Sequence, residues 1–394
     1  MNAGKPERFP GMQFEFSTAV RIIFRSGAVA DLPNIAREFG TRALLVTGRN
    51  TARVAPLTAG LQRAGIESSI FSVETEPTLD IIRAGVHQAR QTCDLVIGFG
   101  GGSAIDAGKA IAALATNSGE PLDYLEIIGH GRALERLPLP FIAVPTTAGT
   151  GAEVTRNAVL GSFQDGVKAS LRSPLMLPKA ALIDPDLTLN LPPEITASTG
   201  LDALTQLIEP YVSTRANPLA DLFCIEGMER VSACLVQAWR SGGDHQARQS
   251  MSFASVLGGL ALANAALGVV HGFAAPLGAM LHAPHGALCA AVLPHGMAIN
   301  IQALRRRAPE HEALCKYHDI ARILTDSSTA DPEDGAVWVA DLCQQLSIPR
   351  LGAHGLDPRQ IPALVEKAAK TNSTKGNPIR LTTQELTEIV DRAL

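Results

Sequence analysis

Asp94-Leu95-Val96-Ile97-Gly98-Phe99-Gly100-Gly101-Gly102-Ser103-Ala104-Ile105-Asp106-Ala107-Gly108-Lys109 runs from an apolar strand through a glycine turn into a helix. Gly100, Gly101 and Gly102 have no Cβ, so the backbone of this turn can come close to an anion. The helix start beyond it offers free N–H groups and the positive end of its dipole. A plain βα turn needs one glycine, or two. Three in a row followed by Ser103 fit a pyrophosphate site better. The spacing is not G-x-G-x-x-G, because Ser103 stands where the third glycine would be, so the ordinary Rossmann fingerprint is absent.

Outward from this turn the first half of the chain alternates short β-rich runs with helical stretches. Arg42 to Thr47, Ser68 to Val73, Asp94 to Ile97, Phe141 to Val144 and Ala180 to Ile183 are strand candidates. Thr51 to Ala64, Ile81 to Gln91 and Ser103 to Ala115 have helical apolar spacing. Such alternation means βαβ crossovers and a mostly parallel, Rossmann-like sheet. In front, Phe14 to Phe24 alternates as an antiparallel hairpin or edge strand would. After Leu189-Asn190-Leu191-Pro192-Pro193-Glu194 the pattern changes to long Ala/Leu-rich amphipathic stretches, with paired prolines opening the first helix. The expectation is an α/β dinucleotide-binding domain over residues 1–190, then an all-helical bundle over residues 191–394 that carries the metal and substrate site.

The whole chain sets bounds on function. Its 394 residues are 46% hydrophobic and 18% charged, with a formal net charge of −4, an ordinary balance for a soluble globular protein. No basic block interleaved with aromatics offers a surface for nucleic acid. The most apolar stretch, around Ser252 to Val270, is broken by Ser and Asn and reads as a buried helix and not a membrane span. The first residues lack the apolar segment and cleavage site of a secretory signal, so the cytoplasm is the expected location. Cys93, Cys224, Cys234, Cys289, Cys315 and Cys343 are scattered with no CxxC pair, which points to reduced thiols.

A second constellation lies in the helical half. Asp202 and Gln206, within Thr199-Gly200-Leu201-Asp202-Ala203-Leu204-Thr205-Gln206, are separated by about 40° around a helix axis and share a face. Farther on, His271, His282 and His285 stand in an Ala/Leu/Gly-rich stretch. A lone histidine there would be an ordinary core or surface residue. Several, with a helical acid upstream, shift the balance toward a divalent metal.

Gly100 to Lys109, followed in order by Pro145-Thr146-Thr147-Ala148-Gly149-Thr150-Gly151-Ala152-Glu153-Val154-Thr155, resembles the signature of the iron-containing (group III) alcohol dehydrogenase family. The likeness extends from Phe14 to the final helices. It implies the dehydroquinate synthase-like superfamily fold and an NAD(P)-linked, metal-dependent enzyme that interconverts a small alcohol and its aldehyde or ketone by hydride transfer. By the same resemblance, Gly100, Gly101, Gly102, Ser103 and Asp106, with Thr146, Thr147, Thr150 and Thr155, contact the cofactor. Asp202, His271 and His285 match the family's Fe(II) or Zn(II) ligands and are the catalytic candidates. Gln206 stands where the family usually has a histidine, and its neutral oxygen is a weaker ligand. Ala275 replaces another family histidine, leaving His282 as an open substitute. His295, in Leu293-Pro294-His295-Gly296, matches the family context but is equally well explained as structural.

NAD-preferring members place an acid after the strand that ends at Thr47. This chain has Gly48-Arg49-Asn50, where a small residue and a guanidinium leave room for a 2′-phosphate, so NADP is favoured over NAD. The resemblance also implies a homodimer or larger homo-oligomer, formed through an edge strand. Two competing readings stay open: a maleylacetate-reductase-like enzyme that reduces an unsaturated keto acid, and a non-redox dehydroquinate-synthase-like relative.

Overall fold

The computed structural model describes residues 14–162, 167–281 and 283–394. Strands β1 (Ile22–Phe24), β2 (Arg42–Thr47), β3 (Glu67–Ser72), β4 (Leu95–Gly100), β5 (Phe141–Pro145) and β8 (Ala180–Ile183) form one sheet. Between the last two, β6 (Asn157–Ser162) and β7 (Val167–Arg172) make a separate antiparallel pair. The large sheet has the order β1-β8-β5-β4-β2-β3, and every pairing in it is parallel. Helices α1 (Leu32–Arg37), α2 (Ala55–Arg63), α3 (Leu79–Thr92) and α4 (Gly102–Thr116) cover it.

Strand period puts successive side chains on opposite faces. Leu44, Val46, Val96, Phe141 and Ala143 pack with α3 and α4, whereas Leu45, Leu95, Ile97, Ile142 and Leu182 pack with α1 and α2. With both faces covered, β2, β4, β5 and β8 read as nearly continuous apolar runs, which is why they stand out in the sequence. The register places Thr47 beside Phe99 and Gly100 beside Pro145. Three turns, those after β2, β4 and β5, therefore leave the same carboxyl edge of the sheet, the edge where such sheets bind ligands.

Of the two forms expected for Phe14 to Phe24, the edge strand is found and the antiparallel hairpin is not: Ile22–Phe24 lies at the edge of the sheet and runs parallel to β8. The β6–β7 hairpin was not foreseen. Its strand Asn157–Ser162 carries one strongly β-favouring side chain, Val159, and contains Gly161, so alternation alone does not mark it.

From Pro193 onward every regular element among the described residues is helical, the α-helices being α5 (Pro193–Val212), α6 (Pro218–Arg240), α7 (His245–Asn264), α8 (Val269–Leu281), α9 (His285–Arg307), α10 (Glu312–Thr325), α11 (Pro332–Gln345), α12 (Ile361–Lys370), α13 (Asn372–Lys375) and α14 (Thr383–Ala393). The central helix is α5, buried at every position from Thr196 to Val212 except Thr199. Length and composition would let α9, and the α7–α8 pair bent by 99°, cross a membrane. However, 78% of the apolar α9 window is buried inside the protein, where it forms part of the helical core. The two halves meet where Ala19, Val154, Ala181 and Ile183 pack against Val256 and Leu260 of α7.

Candidate active site

The helix α5 carries Asp202, Gln206 and Glu209 at i, i+4 and i+7, on one face, and each is 5% exposed or less. Two further helices bring the histidines to this face: His271 sits in the first turn of α8, and His285 opens α9. Close approach at α9 depends on Gly286, where an added Cβ would lie 2.3 Å from the Ser198 carbonyl oxygen and 3.1 Å from the Asp202 Cβ.

The Glu209 carboxylate organises α8. One oxygen accepts the Val270 backbone N–H at 2.7 Å, and the other accepts His271 Nδ1–H at 2.6 Å. A carboxylate only accepts, so the proton of this bond resides on Nδ1 and leaves Nε2 as the donor atom facing Asp202. His271 Nε2 lies 3.6 Å from Asp202 Oδ1, and His285 Nε2 lies 3.8 Å from the same oxygen. Cys289, one turn along α9 from His285, places its Sγ 3.6 Å from His285 Nε2. The donor atoms of Asp202, His271, His285 and Cys289 all lie within 4.8 Å of one another.

Burial and proximity compete across this cluster. Burial works to raise the Asp202 carboxyl, but the His271 and His285 rings hold it below its usual range. Burial works to lower the His271 ring, yet Cys289, Asp202 and Glu209 keep it well above its ordinary value. Likewise, burial works to raise the Cys289 thiol, and the two imidazoles more than offset this and lower it. Two buried oxygens, Asp202 Oδ1 and Gln206 Oε1, have no hydrogen-bond partner. Orphaned acceptors of this kind cost about 1–3 kcal/mol each unless a cation or water meets them. A carboxylate, two imidazoles and a thiol, at these separations and with these orphans, fit a divalent transition metal.

The cofactor candidates gather at the carboxyl edge of the sheet. A Cβ on Gly101 would sit 3.4 Å from Thr147 Oγ1, and one on Gly102 would sit 2.8 Å from Thr150 Cγ2, so the glycine turn lies directly on the threonine turn. Gly100 lies beside the Gly48 backbone N, with 3.5 Å from its added Cβ to that atom. Ser103 is half-buried in the first turn of α4, and Thr146 is buried. The threonine turn continues to the metal-site helix: a Cβ on Gly149 would be 2.7 Å from the Thr199 Cβ, one helical turn before Asp202.

Other candidates are engaged within the fold. Asp106 accepts the Val159 N–H at 3.0 Å and pairs with Lys109 at 3.1 Å, which ties α4 to the β6–β7 hairpin. The Thr155 hydroxyl accepts from Lys109 Nζ at 2.9 Å and donates to the Ala152 carbonyl at 3.1 Å. Arg49 and Asn50 are exposed beside the Gly48 turn, and Arg49 donates to the Glu74 carbonyl at 3.3 Å.

Ala275 sits half-buried on α8, one turn past His271. His282 lies outside the described residues. His295 is not among the clustered donors: burial, with Arg392 and Arg350 beside it, pushes its ring down to about 4. Two site residues escaped the sequence reading. Glu209 follows Asp202 by two helical turns, and Cys289 follows His285 by one, so in both cases the helical spacing from a chosen ligand was the available signal.

A glycine turn stacked on a threonine turn, joined through α5 to a cluster of metal-ligand atoms, fits the class of metal-dependent dehydrogenases. The chain matches "Iron-containing alcohol dehydrogenase" over residues 19–185 and "Fe-containing alcohol dehydrogenase family, C-terminal" over residues 196–394. It is 34% identical to alcohol dehydrogenase 4 of Saccharomyces cerevisiae over 358 residues, covering 89% of this chain and 91% of the relative. It is 36% identical to 1,3-propanediol dehydrogenase of Klebsiella pneumoniae over 367 residues, covering 90% and 92%. A crystal structure of 1,3-propanediol oxidoreductase superposes with a TM-score of 0.89 at 33% identity, covering 97% of this chain and all of the other. The chain belongs to the iron-containing alcohol dehydrogenase family and is a metal-dependent, NAD(P)-linked alcohol dehydrogenase.

Proposed function

We propose that this dehydrogenase acts on short primary alcohols or diols and their aldehydes, with NADP as its preferred cofactor and an ion held by Asp202, His271 and His285. The observation that carries this reading is the continuous path from Gly101 and Gly102 through Thr147, Thr150 and Gly149 to Thr199 and Asp202. It joins a pyrophosphate cradle to four clustered donor atoms. Relatives named for 1,3-propanediol put short polar alcohols first among substrates.

Each residue has a physical task in this scheme. Asp202 supplies the negative charge, His271 is oriented by Glu209, and Gln206 Oε1 is a weak further donor of neutral charge. His285, with a side chain 36% exposed, forms the open side of the cluster toward an entering substrate. The backbone at Gly101, Gly102 and Ser103 meets the pyrophosphate, the hydroxyls of Thr146, Thr147 and Thr150 offer polar contacts beside it, and Asp106 and Thr155 brace the two turns through Lys109. Fe(II) or Zn(II) held by these side chains would supply Lewis acidity toward the substrate oxygen, and a nicotinamide cofactor held at the glycine turn would supply the hydride chemistry at its carbon.

The preference for NADP rests on Gly48-Arg49-Asn50, where no acid repels a 2′-phosphate and the exposed guanidinium can pair with one. A homodimer, or a larger homo-oligomer, is proposed through one of the sheet's edge strands, with Ile22 on β1 and Ile70 on β3 both exposed. The six free cysteines favour a reducing, cytoplasmic setting.

The test is a screen of short alcohols and aldehydes with NAD and NADP, read by nicotinamide absorbance. It is run on the protein as isolated, after chelation, and after Fe(II) or Zn(II) is returned. Turnover of short alcohols that chelation abolishes and one metal restores supports the reading. Turnover that survives complete metal removal contradicts it.

A further inference from the structure

The family position at Gln206 lacks its imidazole, and the fold brings a thiol to the same cluster from a different helix. Cys289 is fully buried on α9, four residues after His285, so both side chains project from one face over a single turn. Two ligand atoms held by one tetrahedral ion at about 2.0–2.3 Å stand roughly 3.3–3.6 Å from each other. The Cys289 Sγ to His285 Nε2 separation is 3.6 Å, and that of His271 Nε2 to Asp202 Oδ1 is also 3.6 Å. Asp202 Oδ1, 2% exposed as a residue and without a hydrogen-bond partner, points into the same space.

Resting on the metal centre proposed above, we infer that Cys289 is itself a ligand, a thiolate from α9 that takes the place of the imidazole missing from α5. The centre is then Asp202, His271, His285 and Cys289, with Gln206 beside it as a neutral neighbour. Binding converts the thiol to thiolate, and its proton leaves to solvent as the ion enters. Two anionic ligands balance a divalent charge within a buried site. A soft sulfur donor also shifts the preference of the site toward Zn(II) and away from Fe(II), relative to a carboxylate and three imidazoles.

The experiment loads the full-length, metal-depleted protein with Co(II) and records its absorption spectrum beside its cobalt content. The unmodified protein, Cys289→Ser, Cys289→Ala and Gln206→Ala are compared. A thiolate ligand gives an intense near-ultraviolet sulfur-to-cobalt charge-transfer band in addition to the visible bands of a tetrahedral ion. The inference expects that band in the unmodified protein and in Gln206→Ala, and its loss in both Cys289 variants. Because the primary signal comes from the unmodified protein, poor folding of a variant cannot hide the answer. Bound cobalt with visible bands but no charge-transfer band removes Cys289 from the ligand set while leaving the centre intact. A charge-transfer band that persists in Cys289→Ser assigns the sulfur to another cysteine and overturns the inference. No cobalt bound by the unmodified protein overturns the metal centre and the inference together.

Discussion

Glu209 Oε2 accepts the Nδ1 proton of His271 at 2.6 Å, while its second oxygen caps the first turn of α8 through Val270 N–H at 2.7 Å. One carboxylate thus sets both the tautomer of the ring and the position of the helix that carries it. Second partners of this kind are worth about 10–100-fold in metal affinity. Glu209→Gln leaves one acceptor for two N–H donors: its oxygen can still cap Val270, but its NH2 then faces His271 Nδ1, so metal binding should weaken by roughly that factor or more as both the charge and the acceptor behind the ring are lost. Competition titration against a chelator checks it. Unchanged affinity would mean that the ring orientation is set elsewhere.

Gly286 is a point of close approach between α9 and α5. A methyl at this position would lie 2.3 Å from the Ser198 carbonyl oxygen, a backbone atom that cannot rotate away. Gly286→Ala should therefore push the first turn of α9 off α5 and carry His285 away from Asp202. The expected cost is about 1–3 kcal/mol in stability. Thermal unfolding and metal content should fall together. A variant with normal metal content and a normal Tm would show that the helices yield without disturbing the site.

Cofactor choice is testable at Gly48, where nothing lies within 4 Å of an added Cβ. Gly48→Asp can be accommodated without a clash and should repel a 2′-phosphate, lowering kcat/KM for NADP roughly tenfold or more while sparing NAD. If the unmodified enzyme already favours NAD by a wide margin, the reading of Gly48-Arg49-Asn50 fails.

The sequence exposed some of these features far more clearly than others, for physical reasons. Strands β2, β4 and β5 are buried on both faces, and their apolar runs announce a parallel sheet. The glycine turn is legible because a side chain at Gly101 or Gly102 would meet the Thr147 and Thr150 side chains, so the close approach of the two turns favours glycine there. Asp202, His271 and His285 stand out together through the family's ligand pattern, and the fold brings all three together. Cys289 and Glu209 were missed because each looks, in sequence, like an ordinary helical residue. Only the crossing of α5, α8 and α9 turns them toward the cluster. The β6–β7 hairpin was invisible because its order depends on tertiary partners such as Asp106 on α4.

Glu153, 3% exposed within the threonine turn, gives the fold a pH dependence of its own. Burial pushes its carboxyl up to about 7 from an ordinary 4.5, so the folded state binds more protons than the unfolded chain between those values. Stability is then lost as pH rises through that window, by up to about 3 kcal/mol. Glu153→Gln should flatten the decline and raise Tm at pH 8 more than at pH 5. Urea unfolding at the two pH values reads it, and an equal effect at both would show that Glu153 ionises as it does in the unfolded chain.

Elemental analysis after equilibrium dialysis, with alcohol oxidation followed on the same samples, tests the central claim most directly. It compares the unmodified protein with Asp202→Ala and His285→Ala. The account predicts about one ion per chain in the unmodified protein, and loss of ion and turnover together in both variants, because each substitution removes a strong donor and with it the affinity that holds the ion through dialysis. Full turnover by metal-free protein, or a variant lacking Asp202 or His285 that keeps both its ion and its activity, would contradict it.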